Sequence, residues 1–307
     1  MTIKTWEVLT GKCIFTIKLP GPVHTVSFAE GDRRFAAAND PFGQDVNTAI
    51  YVFDFNLEDP SQSSTVPRVG PLSIATLSST GSRIKVTRLG WLPLNEGLLA
   101  SLDTGALRRY DPERGILIDE WKEHEGFISS FSFNSTKTLL ITSSHDRTAK
   151  LWDAKLMKVL RTYSADVPLN AACISPIREH VLIGGGQDAM SVTTTASSAG
   201  KFETRFHHMI FENELGRVKG HFGPINALAV HPDGQSYVSG AEDGYMRLHR
   251  FDPDYFSLGD EDNLDDPILS AAMKDGTYEQ LEAEEAERLA KEASEQAAVK
   301  AAVGTVQ

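Results

Sequence analysis

Thr142-Ser-Ser-His-Asp-Arg-Thr-Ala-Lys-Leu-Trp-Asp153 decides the fold. Apolar and hydroxylated residues flank His145-Asp146-Arg147, so the stretch is expected to form two short strands around a tight turn, closed by Trp152-Asp153. His124 stands 22 positions before Asp146. Echoes of the unit recur along the chain, with Trp6, Phe53, Tyr110, Trp152, Thr194 and His249 read at the Trp position. Their spacings of 47, 57, 42, 42 and 55 fit a repeat of about 40 to 45 residues with loop insertions. The last unit runs from Ile225 to His231, through Tyr237 to Gly240 and the turn at Asp243, to Tyr245 and Phe251.

The Trp-Asp signature and the distant His resemble the WD repeat, and that resemblance implies an all-β WD40 β-propeller, whose usual work is to hold other proteins. It also implies a buried polar network. His124 bonds a strand hydroxyl, Thr142, while Asp146 holds the imidazole and Trp152 donates its indole N–H. His221, Ser239 and Asp243 fit the same scheme, with His249 where Trp is expected. Taken alone, two His-hydroxyl-Asp sets also invite a hydrolase reading. Neither Thr142 nor Ser239 lies in a Gly-x-Ser-x-Gly elbow, so the structural role is preferred.

Composition is that of an ordinary globular chain: 307 residues, 41% hydrophobic and 8% aromatic. No run of 18 apolar residues appears, so no membrane span is expected. Met-Thr-Ile-Lys-Thr-Trp6 carries no charged-then-apolar leader, and the expectation is a cytoplasmic protein without a signal peptide. Cys13 and Cys173, alone and far apart, are read as packed thiols, and no metal or other cofactor is expected. The net charge of −12 is concentrated near one end: residues 254 to 307 hold fourteen Asp or Glu against four Lys or Arg. The remainder is nearly neutral and has no broad footprint for nucleic acid, although Arg33-Arg34 and Arg108-Arg109 are candidate small basic spots.

Domain boundaries follow the same shift. Residues 1–256 read as the propeller, 257–276 as an acidic linker, 277–303 as a charged, solvent-exposed helix, and 304–307 as a disordered end. Glu284 with Arg288, and Glu287 with Lys291, support that helix.

A narrower resemblance rests on Ile183-Gly-Gly-Gly-Gln-Asp-Ala-Met-Ser-Val-Thr-Thr-Thr195, Gly200-Lys-Phe-Glu-Thr-Arg-Phe206 and Gly216-Arg-Val-Lys-Gly-His-Phe-Gly-Pro-Ile-Asn226. His231-Pro-Asp-Gly234, Ser239-Gly-Ala-Glu-Asp-Gly244 and Phe251-Asp-Pro-Asp-Tyr-Phe256 continue it. These segments closely resemble the family of the WD-repeat subunit, lettered I, of eukaryotic translation initiation factor three. The resemblance implies a seven-bladed propeller and a non-catalytic scaffold that supports preinitiation complex assembly and messenger RNA recruitment. It implies other subunits of that factor as partners, b and g among them, with the small ribosomal subunit contacted indirectly and no direct sequence-specific nucleic-acid binding. The rival readings are another WD-repeat adaptor of the kinase-receptor-associated type, and a propeller enzyme with a central-channel site.

Against that seven-bladed pattern, Thr2 to Trp6 reads as the third strand of a blade whose first two strands are absent. The expectation is five complete blades plus a partial one, forming an open arc, with no segment to complete the last blade. Gly184-Gly185-Gly186 is read as close backbone approach, since no Lys-Ser/Thr follows as in a phosphate loop. The segment 201–220 is expected to be one long outer strand, read first as an ordinary buried blade edge and second as a candidate partner surface of Phe202, Phe206, Phe211 and Arg217, with His207-His208 disfavoured as a metal pair.

Overall fold

The computed structural model describes residues 1–56, 58–59, 63, 65–73, 83–186 and 202–257. The linker, helix and end expected beyond Ser257 lie outside these residues, as does Thr194. The chain divides into units Met1–Arg250 and Phe251–Gln307.

The first unit is a succession of antiparallel meanders. A two-stranded sheet, β1 (Thr2–Trp6) and β2 (Cys13–Lys18), is followed by four sheets of four strands. These are β3 (Val23–Phe28), β4 (Arg34–Asn39), β5 (Ala49–Asp54) and β6 (Val69–Ser73); then β7 (Val86–Trp91), β8 (Leu98–Leu102), β9 (Leu107–Tyr110) and β10 (Leu117–Trp121). The next are β11 (Ile128–Phe133), β12 (Leu139–Ser144), β13 (Thr148–Asp153) and β14 (Lys158–Ser164); then β15 (Leu169–Ile174), β16 (His180–Gly185), β17 (Glu203–His208) and β18 (Glu214–Lys219). A three-stranded sheet, β19 (Ile225–Val230), β20 (Ser236–Ala241) and β21 (Met246–Arg250), completes the unit. In the second unit the described part is a short helix, α1 (Pro253–Ser257).

The architecture is all-β, and among the described residues the sheets do not close on one another; the end sheets have two and three strands where the others have four. The first strands of successive sheets touch in turn, β3 against β7, β7 against β11, β11 against β15 and β15 against β19. In the four-stranded sheets the second strands lie between two sheets and are buried on both faces, which explains continuous apolar runs such as Leu98-Leu-Ala-Ser-Leu102 rather than alternation. Phe15, Ile17, Phe35 and Tyr51 fill the first intersheet layer, and Ile50, Val86, Trp91 and Leu98 the second. Leu107, Phe131, Leu140 and Trp152 fill the third, and Ile141, Tyr163, Ile174 and Val181 the fourth. At about 1.5–3 kcal/mol per large apolar side chain buried, these layers supply the main drive to fold.

Every first strand except that of the two-stranded sheet carries a bulge one residue in, at His24, Thr87, Ser129, Asn170 and Asn226. At His24, Thr87 and Ser129 the bulged side chain turns to the end of the neighbouring second strand, while Asn170 donates to Asn226 of the next sheet at 2.7 Å. His24 Nδ1 is 3.5 Å from Asp40, the Thr87 hydroxyl 2.7 Å from that of Ser101, and Ser129 Oγ 2.9 Å from Ser143 Oγ. Ser129 also donates to the Leu169 carbonyl at 2.8 Å, tying one sheet to the next.

One expectation needs correction. The segment 201–220 is a hairpin: β17 pairs with β16 on one side and β18 on the other, and the turn between them includes Ile210 and Phe211. The insertion precedes β17, so the third strand of this sheet comes later than the repeat count suggests. Three of the four arginines in the candidate basic spots have a carboxylate partner: Arg108 meets Glu120, Arg109 meets Asp119, and Arg34 meets Glu113.

Candidate functional site

In the fourth sheet, β11–β14, the side chains of the repeat's polar network close into a directed chain. Register places Trp152 opposite Leu140 and Thr142 opposite Lys150. Trp152 Nε1 donates to Thr142 Oγ1 at 3.0 Å, and that hydroxyl lies 2.7 Å from His124 Nε2. His124 Nδ1 is 2.7 Å from Asp146 Oδ2, and the other carboxylate oxygen accepts from the Thr148 amide and hydroxyl. Because an indole N–H only donates, the Thr142 proton is free to go to His124, whose own Nδ1–H goes to Asp146. Burial pushes the His124 pKa down despite the carboxylate, which keeps the ring neutral. For Asp146 burial acts against ionisation, but hydrogen bonds from Thr148 and His124 outweigh it and hold the carboxyl below its usual range.

The last sheet repeats the chain with one substitution. His221 Nε2 is 2.8 Å from Ser239 Oγ, and His221 Nδ1 is 3.0 Å from Asp243 Oδ2. His249 Nε2 approaches Ser239 Oγ at 3.2 Å, and its ring stacks on Tyr237 with centroids 4.5 Å apart. Burial opposes ionisation of Asp243, yet the Phe222 and Tyr245 amides and His221 bring its pKa down to about 2. Desolvation first, then the neighbouring His221 and Arg247, lowers the pKa of His249.

The fifth sheet breaks the pattern, and its register corrects the repeat count. His207 faces Val181 as Trp152 faces Leu140, so His207 occupies the Trp position, 55 residues after Trp152 and 42 before His249. Ile183 stands where Thr142 does, two residues along the second strand, and offers no acceptor. His207 Nδ1 lies 3.2 Å from the Glu212 carbonyl, while its Nε2 is buried without a partner. The sequence signal that could have found this is Val181-Leu-Ile-Gly-Gly185, a clear second strand whose apolar mate had to be sought beyond the insertion.

The four residues considered as a partner surface do not act together. Phe206 is 7% exposed and packs edge-on against Tyr237 of the next sheet at 5.5 Å, so it is core. Phe211 is 63% exposed in the hairpin turn. Arg217, on β18, is engaged by Glu214 and Glu203. Phe202 is half-buried and lies against Gly186. The glycine run does bring backbones close. A Cβ on Gly184 would sit 2.9 Å from Leu228 Cδ1, and Gly186 has φ +145.

Both network hydroxyls, Thr142 and Ser239, are completely buried. What the networks do chemically is orient and satisfy: each links the entry to a first strand, the second strand, the following turn and the third strand. Among the described residues, no three His, Cys, Asp or Glu converge to hold a metal, and no helix is long and apolar enough to cross a membrane.

Four-stranded meanders in tandem, packed face to face and pinned by His–hydroxyl–Asp networks, define a WD-repeat β-propeller protein. Residues 1–261 match the EIF3I family model. A Meyerozyma guilliermondii protein named eukaryotic translation initiation factor 3 subunit I is 41% identical over 266 residues, covering 84% of this chain and 74% of the relative. Those of Aspergillus oryzae, 41% identical over 84% of this chain and 75% of the relative, and of Taeniopygia guttata, 42% over 83% and 75%, carry the same name. The chain belongs to the family of eukaryotic translation initiation factor 3 subunit I.

Proposed function

We propose that the chain is a non-catalytic scaffold subunit of eukaryotic translation initiation factor 3 in the cytoplasm, holding subunits b and g and supporting preinitiation complex assembly on the small ribosomal subunit and recruitment of messenger RNA. One observation about its surface supports this most. The hairpin turn between the third and fourth strands exposes large apolar side chains in every sheet that has those strands: Val8 and Leu9, Val66, Ile116, Leu156, and Ile210 with Phe211. Equivalent turns of equivalent meanders lie at the same end of their sheets, so these side chains recur along one rim. Exposed apolar residues gathered on one side mark contact surfaces for other proteins. The role of the His–hydroxyl–Asp networks in this reading is to keep that rim rigid, with the Thr142 and Ser239 hydroxyls buried out of a substrate's reach.

The test is affinity capture of the tagged chain from cells of its source, with mass spectrometry of the proteins retained. Recovery of subunits b and g, lost when Leu156 and Phe211 are both changed to Asp in a chain that still melts cooperatively, supports the reading. Capture of b and g undiminished by the double substitution removes the rim from it, and capture of neither removes the assignment of partners.

A further inference from the structure

Seven arginines lie on strands of the four-stranded sheets. Six of them meet a carboxylate, as Arg108 meets Glu120 at 2.6 Å and Arg161 meets Glu212 at 3.5 Å. The seventh, Arg88 on β7, makes no ion pair or side-chain hydrogen bond with any described residue. It is also the one residue of β7 that reaches solvent, the other five being buried. Register sets it opposite Ser101, one residue past the bulge at Thr87. The same position on the other first strands holds Thr25, Ser130, Ala171 and Ala227. Arg88 is thus the single long side chain in a row of small ones, along the line where the first strands touch in turn.

Gly90, two residues on and on the same face of β7, is turned towards β11: a Cβ there would sit 2.7 Å from a ring carbon of Phe131. Arg88 therefore rises on the β11 side of its strand. The packed strands around it desolvate the guanidinium and lower its pKa, and no carboxylate offsets this. A cation that reaches solvent and is still desolvated stands in a recess, where a charge-assisted hydrogen bond is stronger than on an open surface.

We propose that Arg88 anchors an interaction site on the first strands, taking the carboxylate of an Asp or Glu side chain presented by a partner polypeptide. The partner supplies to Arg88 what the other six strand arginines find within the chain. The planar fork of the guanidinium matches a carboxylate, and the small neighbours leave room for the residues on either side of the acid. A polyanion such as RNA fits less well, because the five first strands of three- and four-stranded sheets carry no other Arg and no Lys.

The test uses the full chain, labelled with nitrogen-15, and two heptapeptides blocked at both ends, Gly-Ser-Ala-Glu-Ala-Ser-Gly and its twin with Gln for Glu. Binding is followed by NMR at the arginine Nε–H resonances and at the backbone amides of β7 and β11, with Arg88 assigned as the signal missing from Arg88→Lys. The Glu peptide is expected to shift the Arg88 signal saturably and to bind about tenfold more tightly than its twin, the margin of a charge-assisted bond over a neutral one. Arg88→Gln, which has no partner to lose, melts with the parent chain and binds the twins alike. Arg88→Lys keeps the charge without the fork and retains a weaker preference for Glu. Equal affinity of the parent chain for the twins, a shift centred on another arginine, or a preference for Glu that survives Arg88→Gln overturns the proposal. So does inorganic phosphate binding more tightly than the Glu peptide, which assigns the recess to phosphate groups instead. None of these outcomes depends on the initiation-factor assignment or on the rim.

Discussion

Trp152 donates its indole N–H to the Thr142 hydroxyl across 3.0 Å, and this one-way donor sets the direction of every other bond in the network that ends at Asp146. Thr142→Val keeps the shape of the side chain and removes the hydroxyl. It leaves the Trp152 N–H and His124 Nε2 both buried and unpaired, at a cost of about 1–3 kcal/mol for each group. Urea unfolding is expected to show a loss of about 2–5 kcal/mol for Thr142→Val and most of it restored in Thr142→Ser. A Val variant with an unshifted midpoint would mean that the network organises the turn without stabilising it.

His207 makes the opposite case. Its Nε2 is buried with no partner because Ile183 replaces the acceptor, and its Nδ1 holds only the Glu212 carbonyl at 3.2 Å. His207→Leu removes an unsatisfied polar atom from an apolar layer at little change in volume, while the Glu212 carbonyl lies beside an exposed residue and turns to water. The expected result is a gain of about 1 kcal/mol, read as a higher urea midpoint with unchanged slope. A loss of stability instead would show that the Nδ1 bond outweighs the orphaned nitrogen.

Acid should weaken the molecule in two separate windows. His124, His207 and His249 all have pKa values lowered first by burial, so the unfolded chain takes up protons before the folded one. Their contribution is complete above the ordinary histidine pKa of about 6.5 and is lost as pH falls below it. Asp146 and Asp243, held down in the folded state, lose theirs only further down, as pH falls from their ordinary range of about 4 through the folded values. Thermal melts at pH 7.5, 5.5 and 3.5 should therefore show two declines. His249→Trp, which restores a donor that does not titrate, should flatten the first relative to the parent chain; an identical slope in both proteins argues that His249 does not contribute to it.

The sequence carries the repeat openly wherever its polar network is intact. Trp152-Asp153 with His124, and Asp243 with His221, fix the strands on either side because a buried imidazole has few ways to be satisfied. Where Ile183 removes the acceptor, the marker disappears, and the count slips from His207 to Thr194. Phe206 stood between a buried blade edge and a partner surface for a related reason: alternation identifies the two faces of β17, but a strand covered by sheets on both sides has no exposed face to assign. The bulges at His24, Thr87, Ser129, Asn170 and Asn226 were also invisible, since five different contexts and four residue types share only a position in the register.

Gly185 on β16 and Gly216 on β18, two strands of the fifth sheet with β17 between them, separate close approach from mere smallness. A Cβ on Gly185 would overlap the Pro168 carbonyl oxygen and stand 2.8 Å from Leu169 Cα, both backbone atoms that cannot turn aside. Those atoms enter β15, which packs in turn on β11 and β19, so relieving the overlap means shifting two intersheet layers. Gly216, on the outer strand β18, has nothing within 4 Å of the same added atom. Gly185→Ala is expected to cost about 2–3 kcal/mol, the range of overpacked cores, and Gly216→Ala to change stability by less than about 0.5 kcal/mol. Paired urea titrations of the two variants decide the matter, because both make the same chemical change and differ only in what the methyl meets. Comparable losses at the two positions would point to the glycines' backbone freedom, rather than the approach of β15 to β16, as the reason the sequence keeps Gly184-Gly185-Gly186.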